Sequence, residues 1–513
     1  MLKGESDMEL ELQRENISTH NLVLNTTICQ EETLETIVPD ACPDILRILD
    51  TRAQACLTSK QVRDGLVTVT GVVRASVLYR PEDSERPVCH IEISVPFTSQ
   101  TEAPDLTAQG TMIAVPRVRR AEARILNPRK VLLRVDIVVD VDAYQNNDME
   151  LCCSAKGNDQ YAVQQLVAEE HITITSAVRE KAFTYSDRID FGVANQSEVE
   201  VLNICGEAVC SESKLVGNKL VFKGFVNAEA LLCENGELRT VNQPLAFSQI
   251  MEVSQVGEGC SCAIRMAVTD LRIQYGESVL DNEFTVELLA QAVVREHKTV
   301  EILRDLYSTG WNTDTTVYPY RMHQAVEDGE HVVPVRDQIE TTTLVRGIIH
   351  YWVDLGEVRI GTENGHSTVT AETNLNILYL DDVGEVQSLH KSVAVPCRLD
   401  AAGTVCRCWC SAPREVFVTP SAGGMEIRFS MDFHCLTLIE KQLSAILAAS
   451  VTDERTRGET EQPSVVLRMA VPGERLWDIA KLYGTTEEEI MRANELEEEE
   501  LPHGKMLLIP RVR

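Results

Sequence analysis

Self-similarity constrains this 513-residue chain more than any other feature. Three segments share one pattern: 65–79 (GLVTVTGVVRASVLY), 219–232 (KLVFKGFVNAEALL) and 367–379 (STVTAETNLNILY). Each is followed by a polar turn and a return run, ISVPF at 93–97, QPLAF at 243–247 and VAVP at 393–396. Aligning Tyr79, Leu232 and Tyr379 gives spacings of 153 and 147 residues, a nearly constant period. A repeat of about 150 residues is a domain-sized unit, so the body must be built from three copies of one fold.

Within each copy the apolar residues alternate, as in Val67/Val69 and Leu375/Ile377/Tyr379. Period-two alternation puts them on one face of a strand. Asn235-Gly236 and Val383-Gly384 supply the flexible or positive-φ positions of tight hairpins. Further strand-like runs follow at 130–144, 263–275 and 425–438, and shorter runs precede each copy at 39–50, 187–203 and 336–352. Helical patterning is sparse; 43–49, 160–170 and 440–449 are the candidates. The expected fold is therefore mainly β, with tandem sandwich- or open-barrel-like repeats over 1–160, 161–300 and 301–450. Residues 451–464 are polar and aperiodic and read as a linker, leaving 465–513 as a separate small domain.

That terminal module reads as βααβ. A strand at 465–471 meets the turn Pro472-Gly473, then Leu476, Ile479, Ala480 and Tyr483 recur at helical spacing until Gly484 stops the helix. Thr486 followed by Glu489 has capping-box spacing and opens a second helix. Gly504 turns the chain into a closing strand at 506–509. With Val471, Gly473, Leu476-Trp477, Ile479-Ala480, Tyr483-Gly484-Thr485, Ile490, Asn494, Leu496, Leu507 and Ile509-Pro510 in register, the module resembles a LysM domain. The resemblance implies binding without catalysis, in a shallow groove between Gly473, Glu474, Arg475, Leu476 and Trp477 on one side and Asn494, Glu495 and Leu496 on the other. Many sugar-binding members carry a small hydroxyl residue in the first loop, where this chain has Glu474 and Arg475. The second loop runs into the acidic stretch Glu497–Glu500. A charged, bulky loop suits a protein surface better than a neutral amino-sugar chain. Trp477 is expected in the core or as a partly exposed contact, whereas Ile479 and Tyr483 belong to the core.

The body, through 39–50 (PDACPDILRILD) and 69–79, together with one terminal LysM module, resembles the SPOCS-domain spore-coat morphogenetic proteins of spore-forming bacteria. That family implies a mother-cell cytoplasmic protein recruited to the forespore surface and spore coat. It also implies that the LysM module contacts a coat morphogenetic ATPase resembling SpoIVA. Peptidoglycan is the alternative partner of such a module.

Charge and chemistry narrow the remaining classes. A net charge of −31, from 48 Lys+Arg against 79 Asp+Glu, repels phosphate backbones and anionic lipid, so nucleic acid is not an expected partner. The polar N-terminus lacks a signal-peptide pattern, and no run approaches the ~20 apolar residues of a transmembrane helix. Sixteen cysteines diluted over this length read as buried thiols. Cys406, Cys408 and Cys410 alternate on one strand and could approach zinc, but without a Cys-x-x-Cys pair or a histidine partner the expected reading is core cysteines. Gly257-Glu-Gly259 is too short for a phosphate loop, and no Walker, His-Glu-x-x-His or Gly-x-Ser-x-Gly motif occurs. The expectation is a non-enzymatic scaffold with no catalytic residue, cofactor or metal. A LysM-targeted wall hydrolase would need a catalytic constellation that the body does not display.

Overall fold

The computed structural model describes residues 8–82, 86, 88–156, 161–192, 199–253, 259–275, 282–363, 366–399, 405–411, 413–454, 465–471, 473–496 and 506–510. After a two-residue strand β1 (Met8–Glu9), the first unit runs β2 (Glu11–Ile37), β3 (Ile45–Arg63), β4 (Leu66–Pro81), β5 (Cys89–Glu102), β6 (Thr111–Asn127) and β7 (Lys130–Lys156). The second runs β8 (Val163–Arg188), β9 (Val199–Val216), β10 (Lys219–Glu234), β11 (Glu237–Glu252), β12 (Ser261–Gln274) and β13 (Glu283–Ser308). The third runs β14 (Trp311–Glu340), β15 (Val345–Glu363), β16 (His366–Asp381), β17 (Val386–Leu399), β18 (Val405–Cys410), β19 (Arg414–Ser421) and β20 (Gly424–Glu454). All pairings are antiparallel. In the first unit a meander β3-β4-β5 faces a sheet β2-β7-β6, and the other units repeat this plan. The apolar alternation read from the sequence closes the sandwich: Val67, Val69, Val73 and Val77 of β4 share a core with Val131, Leu133, Val135 and Ile137 of β7.

The first and last strands of each unit pair along almost their whole length, β2 with β7, β8 with β13 and β14 with β20. Twenty-seven residues at ~3.3 Å each make a ribbon of about 90 Å, far longer than the three-stranded meander can cover. The uncovered halves of the three ribbons therefore pack on one another. Ile17, Met149 and Leu151 of the first meet Ile172, Ile174, Val300 and Ile302 of the second and Met322, Leu443 and Ala445 of the third. The result is a stalk with its own apolar core, continued by Leu10, Cys152, Leu303, Leu306, Ile446 and Val451.

The three sandwiches surround a common axis. Leu78, Leu231 and Leu378, separated by the same 153 and 147 residues as the sequence repeat, share one buried cluster. Burying each is worth about 1.5–3 kcal/mol. One step along each meander, Arg52 pairs with Ser76, Cys205 with Glu229 and Trp352 with Asn376, and these are equivalent positions of the three units. Arg52 bonds Glu229 of the second unit and lies 2.5 Å from His350 Nε2 of the third. Burial alone would raise the Glu229 carboxyl, but Arg52 and His350 hold it down at about 2. Between units, β12 packs on β3 and β6 on β15.

Two internal compensations show why the third copy departs from the others. Gly71 lies across from Phe97 and Gly224 across from Phe247, each beneath the ring. A Cβ on Gly71 would sit 2.4 Å from the Phe97 ring and 2.5 Å from the Cys56 carbonyl oxygen. In the third unit Ala371 takes the glycine's place and its partner shrinks to Val395.

Several expectations change. Of the stretches 43–49, 160–170 and 440–449, none is an α-helix among the described residues: β3 begins at Ile45, β8 at Val163, and 440–449 lies inside β20. Their apolar residues do fall at helical spacing, but long-range pairing with β4, β13 and β14 overrides it. The 300/301 boundary falls within β13, and β20 extends to Glu454, four residues into the expected linker. Residues 455–464 and 254–258 lie outside the described residues. Asp381 is buried and caps its turn, accepting from the Val383 and Glu385 amides at 3.1 and 2.8 Å. Cys408 and Cys410 pack in the third core, Cys408 Sγ lying 2.8 Å from Cys435 Sγ on the neighbouring strand. The side chain of Cys406 is outside the described residues.

Candidate binding surface of the C-terminal module

The module folds as β21 (Val465–Met469), α1 (Leu476–Tyr483), α2 (Glu487–Asn494) and β22 (Met506–Pro510), with β21 and β22 antiparallel. Gly484 ends α1 in the left-handed region at φ 66°. Thr486 caps α2 by accepting from the Glu489 amide at 3.2 Å. The Glu489 carboxylate turns back to accept from Thr485 Oγ1 at 2.7 Å. Both helices bury their apolar stripes on one face of the hairpin, with Leu476, Trp477, Ile479, Ala480 and Ile490 against Leu507 and Ile509.

The eight candidate site residues divide by what their side chains already do. Leu476 and Trp477 are buried, and Leu496 packs half-buried against the same core, so both loops are anchored to one cluster. Asn494 donates to the Ile490 and Leu508 carbonyls at 2.7 and 2.6 Å, and its Oδ1 accepts from the Leu508 amide at 2.6 Å. It fastens α2 to β22. Glu474 pairs with Arg468 across the first loop. Arg475 makes two bonds to Asp478, at 3.0 and 2.9 Å, one turn along α1; these bonds raise the pKa of the guanidinium and lower that of the Asp478 carboxyl. Gly473 and Glu495 are exposed, both with positive φ, 83° and 51°. The groove thus offers solvent Gly473, the Arg475–Asp478 pair and Glu495, a charged rim without a small hydroxyl.

The face of the hairpin away from the helices has a different character. Val465, Leu467 and Met469 of β21 and Met506 and Leu508 of β22 alternate outward, each at least 41% exposed. Leu467 lies directly across from Leu508, and Met469 from Met506, so these side chains form one apolar patch, extended by exposed Val471. Strand alternation in the sequence carried this signal, since Val466, Arg468 and Ala470 fall on the other face.

Sequence reasoning missed the module's seat on the stalk. Asp305 of β13 accepts from Trp477 Nε1 at 2.8 Å and from Lys481 Nζ at 2.7 and 2.8 Å. Tyr307 donates to the Thr485 carbonyl at 2.8 Å, and its ring meets Trp477 edge-on at 4.8 Å. The tryptophan is therefore core and contact at once. A buried indole N–H needs an acceptor, and α1 supplies none.

Among the described residues no cluster of three His, Cys, Asp or Glu is placed to hold a metal ion, and no helix is long and apolar enough to cross a membrane. Two family models match the chain. The SipL SPOCS domain covers residues 44–126, which is β3 to β6 of the first unit, and the LysM domain covers 470–510. No curated protein and no solved structure matches. Both matched families are non-catalytic binding domains. A repeated β body carrying the first and a terminal βααβ module carrying the second make the chain a sporulation-related SPOCS- and LysM-domain protein similar to SipL.

Proposed function

We propose that the chain is a non-enzymatic scaffold of spore-coat assembly, recruited to the forespore surface, whose LysM module binds a coat morphogenetic ATPase resembling SpoIVA. The apolar patch of Leu467, Met469, Met506 and Leu508 carries this reading. An exposed apolar cluster beside a charged rim is the composition of a protein-binding surface, apolar at its centre and polar at its edge. The exposed Arg475–Asp478 pair puts charge on the first loop, which suits a protein surface better than a neutral amino-sugar chain. The three units, on this reading, space and present the module at the end of a rigid stalk.

The test is binding of the full-length protein to the purified ATPase and, in parallel, to purified peptidoglycan. Wild-type protein is expected to bind the ATPase and to pass over the glycan. Leu467→Asp and Met469→Asp should abolish capture, and Arg475→Ala should weaken it. Retention on peptidoglycan without ATPase binding would replace this reading with a glycan-binding adaptor.

A further inference from the structure

The third unit departs from the other two at one further pair of facing positions. Leu22 pairs with Tyr144, Val178 with Val293 and Ala325 with Leu438, and all six meet around one buried cluster, which aligns the three ribbons. Three residues back along β7, β13 and β20 stand Val141, Ala290 and Cys435. Across from them, on β6, β12 and β18, stand Ala114, Met266 and Cys408. The first two units hold apolar pairs there, and the third holds two thiols. Among the described strand pairings no other cysteine faces a cysteine.

Facing residues of an antiparallel pair have Cα atoms about 4.5–5.5 Å apart, inside the span of about 4.4–6.8 Å that a disulfide bridges. The Cys408 and Cys435 sulfurs are 2.8 Å apart, so a bond between them needs no movement of the backbone. Cys410 also touches Cys408, but it lies two residues along the same strand. Its Cα is then about 6.6 Å away, at the far limit of a bridge. Cys435 is 5% exposed. Cys408 is half-buried and lines a cavity of about 50 Å3, more than a single water occupies and room enough for hydrogen peroxide. β18 is a six-residue strand that pairs in its sheet with β20 alone, the kind of short edge that opens first.

We propose that Cys408 and Cys435 are a reversible oxidation site, closed by peroxide into a disulfide that staples β18 to β20. The Cys408 thiol takes an oxygen from hydrogen peroxide as the O–O bond breaks, giving a sulfenic acid and one water. The Cys435 sulfur then attacks the sulfenic sulfur. The S–S bond forms, the S–O bond breaks, and the hydroxyl leaves with the Cys435 proton as a second water. The two thiols lose two electrons and the peroxide gains them. A dithiol reductant reverses the bond by exchange. Hydrogen bonding with Cys410 and Cys435, ahead of burial, raises the pKa of the Cys408 thiol, so thiolate is scarce and the reaction is slow at low peroxide. The bridge ties together positions 27 residues apart in the chain.

Reduced full-length protein is treated with hydrogen peroxide, free thiols are alkylated, and tryptic peptides are mapped by mass spectrometry without reduction. Peptide 408–414 should appear joined to peptide 429–441, and dithiothreitol should separate them. Peptide 408–414 also contains Cys410, so Cys410→Ser assigns the bond and should keep it. Cys408→Ala and Cys435→Ala, which copy Ala114 and Ala290 of the other units, should lose it. Oxidation should raise the Tm of the wild type by about 4 °C or more relative to Cys435→Ala treated alike. A bond from Cys410 in place of Cys408, both thiols still open to alkylation after peroxide, or no difference in Tm would overturn the proposal.

Discussion

Replacing Gly71 by alanine should destabilise the first sandwich, and the loss should depend on the identity of residue 97. The added Cβ would fall 2.4 Å from Phe97 Cζ and 2.5 Å from the Cys56 carbonyl oxygen. The ring is held in a core where Phe97 is 4% exposed, and the carbonyl belongs to the neighbouring strand β3, so neither can retreat cheaply. Overpacking of this kind costs about 1–3 kcal/mol, and with one backbone contact involved the upper half of that range applies. At about 2–4 °C per kcal/mol for a domain of this size, the expected loss is roughly 4–12 °C in Tm. Phe97→Val alone should lose stability by emptying part of the core. The double variant Gly71→Ala/Phe97→Val imitates the Ala371/Val395 pair of the third unit and should lose at least about 1 kcal/mol less than the sum of the single variants. The mirror experiment runs in the third unit, where Val395→Phe should destabilise and Ala371→Gly should rescue. Calorimetric melting with urea titration of all six variants measures both cycles. Additive losses in either cycle would mean that the glycine is retained for backbone reasons alone and that the compensation argument is wrong.

Other outcomes follow from the contacts described. Asp305→Ala strands the Trp477 indole and the Lys481 ammonium, and should loosen the module from the stalk by about 2–3 kcal/mol. Hydrogen exchange in α1 and in residues 300–308 should rise together, and no change would refute the seat. Leu231→Ala removes one of the three leucines on the axis and should cost about 2–5 kcal/mol, readable as a lower urea midpoint. Glu229, at about 2 when folded against 4.5 in its ordinary state, stabilises the fold above pH 4.5 and loses that contribution as pH falls toward 2. Glu229→Gln should therefore lower Tm at pH 7 and change it little at pH 2, and an equal loss at both would contradict the assignment.

Much of the architecture was legible because local chemistry determines it. Asn235-Gly236, with φ of 50° and 86°, marks a hairpin in sequence and makes one in space. The Thr486–Glu489 spacing likewise specified the start of α2 before any contact was known. The stalk was not legible. Residues 163–170 place apolar side chains at helical spacing, yet pair with β13 residues about 140 positions away. No local pattern records that partner. What the candidate groove residues already hold was invisible in the sequence: that Asn494 clamps a strand and Trp477 reaches Asp305 depends on neighbours 14 and 172 positions distant.

The approximate threefold of the body has a genetic consequence. Were the three units separate copies of one polypeptide, every substitution on the axis would appear three times. Arg52 would then stand in a ring with two more arginines in place of Cys205 and Trp352, and with a serine in place of the Glu229 it bonds here. Joining the copies in one reading frame releases each from the others, so a single position can carry arginine in one unit, cysteine in the next and tryptophan in the third. A chain with only one such unit should therefore assemble as a homotrimer around an axis of small or neutral residues, and would have no means of building an asymmetric interior.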